Sequence, residues 1–377
     1  MKRFALIMPT DKGMNVFHVK EELAPIPWLE GVRARSKNGG VEVLCENNQS
    51  RSLKAGQALA IQGKPVSCVH MEAEAYCLGP DLVTVDEKML RIFHLCILAS
   101  RIDAPVLILG ESGVGKEVIA RTLHLLAHGN MARFVAVNMA AIPEGLAESE
   151  LFGCVKGAYT GASTDRAGAF EIAKNGTLFL DEICEAPLSI QAKILRAVEE
   201  RQVQRLGSHK KVAVSCRIIA ATNKDILSQI QMGQFRQDLY ERLACVVIRC
   251  PPLRERKCDI PFLAKRLLET SADAIAIDEG AIKRLQSYEW LGNVRELKNC
   301  LTRARMLSLD KIITEEGIRQ AMALSPSQEC ERPSCTRCLP YSRYRIPRAQ
   351  QIKESGLKRS TFYYRLRKAQ MMNGVGN

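Results

Sequence analysis

The apolar positions change period several times along the chain. Between residues 41 and 77, short apolar runs (Val41 to Cys45, Gln57 to Ile61, Val66 to His70) alternate with Gly, Asn and Ser turns, which predicts a small β-rich unit. From Val85 to Ser100 the spacing is helical, with Met89, Ile92, Phe93 and Cys96 on one face, and it leads into a buried strand, Pro105 to Leu109. Four more strand patterns follow: Phe134 to Val137, Thr177 to Leu180, Arg217 to Ala221 and Val246 to Arg249. They alternate with helical stretches such as Ser189 to Arg201, the signature of a parallel sheet flanked by helices. After Pro251-Pro252 the pattern becomes helical (Ile260 to Ser271, Glu279 to Glu289, Val294 to Leu307) and predicts a second, all-helical unit. The stretch 325–346 has little periodicity and several prolines and reads as a linker, before a final pair of helical segments.

Length and composition agree with several domains. A chain of 377 residues with 46% hydrophobic and 25% charged residues has the make-up of a folded globular protein, not a disordered or fibrous one. The net charge of +13 is unevenly placed. From Tyr341 onward nine Lys or Arg stand against Glu354 as the sole acid, so this short segment carries +8, a charge suited to a polyanion such as nucleic acid. The N-terminal apolar run ends at Pro9, too short for a secretory leader, and nothing approaches the roughly 18 apolar residues of a membrane span. A cytoplasmic protein with no membrane partner is expected, its fourteen cysteines being thiols.

The chemistry begins at Gly110-Glu111-Ser112-Gly113-Val114-Gly115-Lys116, a G-x4-G-K loop between a strand and a helix. The glycines let backbone amides close on phosphates, the helix start favours anions, and Lys116 places a point charge at the terminal phosphates. Glu117 stands where the general motif has a magnesium-binding Ser or Thr. A second apolar strand delivers Asp181 and Glu182 at its C-terminal end, where ligands bind in α/β sheets. Asp181 there suits magnesium, and Glu182 suits polarising the water that attacks the γ-phosphate.

Together these residues resemble the AAA+ domain of the sigma-54-dependent activators, from about Tyr76 to Leu307. In that family Glu at the position of Glu117 is normal. Most specific is Glu150-Leu151-Phe152-Gly153-Cys154-Val155-Lys156-Gly157-Ala158-Tyr159-Thr160-Gly161-Ala162. It is similar to the signature by which these motors grip sigma-54, which places Gly157, Ala158, Tyr159, Thr160, Gly161 and Ala162 in contact with that partner. Tyr159 replaces the usual Phe, and Cys154-Val155 the usual His-Glu. The resemblance further implies that Asn138 holds the catalytic glutamate and releases it by nucleotide state, and that Asn223 is sensor I. It makes Arg236 and Arg242 arginine fingers for a neighbouring subunit, and Arg295 sensor II on the lid. It implies an ATPase using ATP and Mg2+, assembled as a hexamer, that opens the closed complex of sigma-54 RNA polymerase.

The C-terminal segment reads as helix (Pro347 to Glu354), tight turn (Ser355-Gly356-Leu357) and helix (Lys358 to Gln370), and resembles the Fis-like helix-turn-helix of the same family. Lys358, Arg359 and Thr361 would meet base edges and Arg365, Arg367 and Lys368 phosphates, and paired units predict a palindromic site on double-stranded DNA. In the linker, Cys330, Cys335 and Cys338, with Cys300 upstream, have a spacing able to hold an iron-sulfur cluster or zinc. The organisation expected is thus 1–75, a β-rich unit without the acidic pair of a phosphoacceptor; 76–250, the α/β ATPase; 251–324, its lid; 325–346, the linker; 347–377, the DNA-binding unit. Two rival readings are another AAA+ remodeller, against which the Gly157 to Ala162 run argues, and a regulator that has lost sigma-54 contact, which Val155 and Tyr159 leave open.

Overall fold

The computed structural model describes residues 3–10, 13–22, 24–29, 32–37, 40–45, 50–61, 64–72, 74–158, 164–269, 275–308 and 312–324. The linker cysteines Cys330, Cys335 and Cys338 lie outside them. So do Lys358, Arg359, Thr361, Arg365, Arg367 and Lys368 of the segment expected to bind DNA, and Tyr159, Thr160, Gly161 and Ala162 of the expected sigma-54 contact.

Ten strands precede the α/β unit: β1 (Arg3–Thr10), β2 (Gly13–Val19), β3 (Ala24–Pro25), β4 (Arg33–Lys37), β5 (Gly40–Leu44), β6 (Ser50–Leu53), β7 (Ala58–Ile61), β8 (Lys64–Glu72), β9 (Ala75–Leu78) and β10 (Leu82–Thr84). They form a six-stranded sheet, β10-β9-β8-β1-β2 with β7 also on β8, and a four-stranded sheet, β3-β4-β5-β6. The two sheets enclose Phe4, Leu6, Met8, Ile26, Val32, Val41, Val43 and Cys68. On the opposite face of the larger sheet, Ala5, Ile7, Val69 and Leu78 pack with the first helix and the strand that follows it. Burial on both faces explains why β1 shows an unbroken apolar run instead of alternation. Pro9 is tolerated because the β1–β8 ladder stops at Ile7, leaving no bond to β8 for a proline to break. The larger sheet runs on through β9 and β10 to Thr84, past residue 75, where the sequence suggests a boundary.

The α/β unit follows with α1 (Glu87–Ala99), β11 (Val106–Leu109), α2 (Lys116–His128), β12 (Phe134–Asn138), α3 (Glu144–Phe152), the short pair β13 (Gly153–Cys154) and β14 (Arg166–Ala167), α4 (Ala169–Ile172), β15 (Thr177–Asp181), α5 (Leu188–Glu200), the hairpin β16 (Gln202–Gln204) and β17 (Lys211–Ala213), β18 (Arg217–Thr222), α6 (Ile226–Gln231), α7 (Gln237–Leu243) and β19 (Val246–Arg249). Five of these strands form a parallel sheet in the order β12-β15-β18-β11-β19. The strand before the phosphate loop therefore sits inside the sheet, between two others that connect to it only through helical crossovers. The lid consists of α8 (Ile260–Glu269), α9 (Glu279–Ser287), α10 (Asn293–Leu307) and α11 (Glu315–Ala323) around the fully buried Trp290, whose Nε1 donates to Leu285 O at 2.7 Å. It is not wholly helical: β20 (Ala276–Ile277) and β21 (Ile312–Ile313) pair in parallel.

The N-terminal sheet meets α1 through a buried polar contact, Ser67 Oγ with His94 Nδ1 at 2.9 Å, while His94 Nε2 has no partner among the described residues. Burial pushes the imidazole down from 6.5 to about 4. The unfolded chain therefore takes up this proton first, and stability should fall as pH drops from about 6.5 towards about 4. Urea unfolding midpoints across that window should show the loss, and a His94→Leu variant should lose this part of the slope.

Candidate functional site

The residues singled out in the sequence gather at the C-terminal ends of the parallel strands. Gly110 follows β11, Asn138 ends β12, Asp181 ends β15 and Asn223 follows β18. In the loop, Gly113 has φ +78° and Gly115 φ +105°, values that favour glycine. A side chain at Gly113 would also collide with the Gly292 carbonyl of the lid. Lys116 opens α2 and is buried, its Nζ donating to the carbonyls of Gly110 at 3.0 Å and Glu111 at 3.3 Å and lying 3.5 Å from Glu182 Oε1.

Opposite the lysine stand two acids. Burial first, and the charge of Glu182 second, raise the Asp181 pKa, with Lys116 opposing. The carboxylates of Asp181 and Glu182 offer oxygen ligands of the kind that suits a hard cation. Magnesium bound by Asp181 would supply charge neutralisation for nucleotide phosphates. Glu182 adopts the left-handed conformation (φ +51°), a strain of about 1 to 3 kcal/mol that holds its carboxylate off the strand axis. Its Oε2 accepts from the Asn223 backbone N–H at 3.0 Å. Asn138 Nδ2 reaches Asp181 Oδ2 at 3.4 Å, in keeping with the direct pairing of the two residues across β12 and β15. Glu117 lies along α2, bonded to Arg121 through Nε at 2.9 Å and Nη2 at 2.6 Å.

The lid closes on the loop through contacts of which the sequence pointed to one, that of Arg295. Arg254 grips the Glu111 carboxylate with two bonds, at 2.8 and 2.6 Å. Asn293, fully buried, accepts from Leu253 N at 2.7 Å and donates to Glu111 Oε2 at 3.1 Å and Ser112 O at 3.0 Å. Losing the acceptor alone would leave a buried N–H unsatisfied, a cost of about 1 to 3 kcal/mol. Arg256, also buried, donates to Val114 O at 3.0 Å, and Arg295 donates to Ser112 Oγ at 2.8 Å. Ser112, Gly113 and Val114 thus touch the lid directly, while Glu111 is its ionic anchor.

Arg236 and Arg242 point elsewhere. Arg236 pairs with Asp238 at 2.6 Å and Arg242 with Glu199 at 2.8 Å, with both guanidinium groups substantially exposed. The loop that carries the Gly157-Ala158 end of the signature leaves α3 and returns before α4, and its base is pinched by the β13–β14 pair. A side chain at Gly153 or Gly168 would strike the backbone of the facing strand. Glu150 and Arg166 close the base at 2.6 Å, and Val155 N donates to Leu206 O at 3.0 Å, fastening it to the β16–β17 hairpin. Cys300 lies in the apolar interior of the lid, packed with Leu297 and Leu301.

A family model described as the Sigma-54 interaction domain matches residues 82–249, and one described as the AAA+ ATPase lid domain matches residues 254–334. The Nif-specific regulatory protein of Azotobacter vinelandii is 47% identical over 234 residues, 61% of this chain and 45% of that protein. The regulatory protein LuxO of Vibrio vulnificus is 37% identical over 325 residues, covering 82% of this chain and 72% of LuxO. The crystal structure of NtrX from Brucella abortus in complex with ADP superposes with a TM-score of 0.59 at 28% identity, over 77% of this chain and 70% of that one. The chain matches about half the length of the Nif-specific regulators. Among the described residues, no helix is long and apolar enough to cross a membrane.

Proposed function

This chain belongs to the sigma-54-dependent transcription activators and carries their AAA+ ATPase domain, and from that premise we propose that it hydrolyses ATP to convert a closed sigma-54 RNA polymerase complex into an open one. The observation that carries the reading is the joining of two features in one α/β unit. The segment with the signature Gly157 to Ala162 leaves α3 and returns before α4, within the same α/β unit that places Lys116 at the start of α2 and Asp181 and Glu182 at the end of β15. Lys116 and the loop amides bind the phosphates, Glu182 orients and deprotonates water, and Asn223 fixes Glu182 through its backbone N–H. The lid contacts at Glu111, Ser112 and Val114 give nucleotide state a route to lid angle, and the β13–β14 pinch gives the loop a rigid base from which to be lifted.

The same reading makes the C-terminal basic segment the anchor to upstream DNA, makes the ring a hexamer, and puts the protein in the cytoplasm. Its NtrX relative, crystallised with ADP and with ATP, supports the choice of nucleotide. The test is promoter opening on supercoiled DNA by sigma-54 polymerase, with and without this protein and ATP. Opening that needs both, and that a Tyr159→Ala variant loses while still hydrolysing ATP, is expected. Hydrolysis without opening in the parent protein would assign the motor to another partner.

A further inference from the structure

Away from the nucleotide, the β8–β9 hairpin brings together three side chains of metal-binding type. His70 pairs directly with Cys77 across the antiparallel ladder, and Glu72 lies two residues beyond His70 on the same strand. Alternation along a strand puts all three on one face by backbone pairing alone. One ligand atom from each lies within 4.8 Å of the others. Ligand atoms around a tetrahedral zinc ion stand about 3.5 Å apart, so closing the set needs side-chain adjustment but no backbone movement.

The imidazole is the second observation. His70 Nε2 is buried and has no hydrogen-bond partner among the described residues. Nδ1 stands 3.9 Å from Glu72 Oε1, too far for a hydrogen bond. The ring is nevertheless fixed, edge-on to Phe4 with centroids 5.8 Å apart. A held imidazole beside a carboxylate and paired across the ladder with a thiol, with a buried ring nitrogen that has no partner among the described residues, is placed to take a cation.

We propose that His70, Glu72 and Cys77 form a binding site for one zinc-class divalent cation, at the junction of the N-terminal sheet and the lid. Imidazole, thiolate and carboxylate together select zinc over magnesium or calcium, and three protein ligands leave a fourth position for solvent. Binding replaces the Cys77 S–H bond with a sulfur–metal bond, and the proton leaves to solvent. The site reaches the lid through Glu72, whose Oε2 lies 3.3 Å from Arg266 Nη1 on α8; the Arg266 Nε also donates to Pro80 O at 3.2 Å. Cys77 packs on the lid side as well, in the cluster of Ala75, Val83, Leu263 and Ala264.

The test uses the full chain with Cys330, Cys335 and Cys338 replaced by Ser, so that the linker thiols do not contribute. After chelator treatment it is titrated with Zn2+ against a chromogenic chelator, and separately with Co2+. One Zn2+ per chain and a thiolate-to-cobalt charge-transfer band are expected. Adding Cys77→Ser should abolish the band, and adding Glu72→Gln should weaken Zn2+ binding at least about tenfold. Failure of the parent to bind one Zn2+, or full-strength binding in the Cys77→Ser chain, overturns the proposal. Should the buried Cys77→Ser substitution prevent folding, Glu72→Gln, at a half-exposed position, decides alone: unchanged affinity sinks the site.

Discussion

Replacing Glu182 with Gln should slow ATP hydrolysis by about 10²- to 10⁴-fold while leaving nucleotide binding intact, the loss typical of removing a positioned general base. Gln has the same volume and still accepts from the Asn223 N–H that holds Oε2 at 3.0 Å, so the strained turn at φ +51° is retained. What it cannot do is take a proton. Phosphate release measured beside equilibrium binding of a fluorescent nucleotide separates the two effects. Hydrolysis at the parent's rate would move the base elsewhere, with Asp181, whose pKa burial raises, the next group to test.

Arg236→Ala and Arg242→Ala should each depress turnover by about 10³- to 10⁵-fold, the range for an arginine finger supplied by a neighbour, with little effect on the stability of the isolated chain. Within the chain each guanidinium is paired with an exposed acid, Asp238 or Glu199, and such solvent-screened surface pairs contribute little to stability. The decisive measurement mixes two inactive proteins. Glu182→Gln subunits offer intact fingers, Arg236→Ala subunits offer an intact glutamate, and a shared interface contains one complete site. Partial recovery of hydrolysis on mixing is expected; none at all would mean that the arginine acts within its own subunit.

The clustering of the candidate site residues at the strand ends was legible because their pattern is local. Seven consecutive residues make the phosphate loop, and one short apolar strand carries Asp181 and Glu182, so spacing alone identifies them. The strands of the parallel sheet and three of the lid helices were legible for the same reason, since their apolar periods are long and clean. The lid contacts were not. Arg254, Asn293 and Glu111 are ordinary polar residues far apart in sequence, and only the fold shows that a buried asparagine and a bidentate arginine meet at the loop. The alternation Arg254, Arg256 just after the last strand was the one available hint. The first N-terminal strands were hidden differently: β1 is covered on both faces, so it loses the alternating pattern by which a half-exposed strand is recognised. That Asn138 meets Asp181 was not legible, because a position in a motif does not fix which of two neighbouring carboxylates its amide reaches, here at 3.4 Å.

The larger N-terminal sheet touches both halves of the motor. Ala5, Ile7 and Leu78 seal it to α1 and β11, while Ala75, Cys77 and Val83 seal its far end to Leu253, Ile260 and Leu263 of the lid. It is therefore a splint laid across a hinge. Any swing of the lid relative to the α/β unit must flex this splint or peel one end of it away, so its stiffness acts in parallel with the hinge and resists the swing. Cutting the chain near residue 75 would divide the splint through its middle and bare the apolar side of α1, which makes the N-terminal strands a structural part of the engine rather than a detachable attachment.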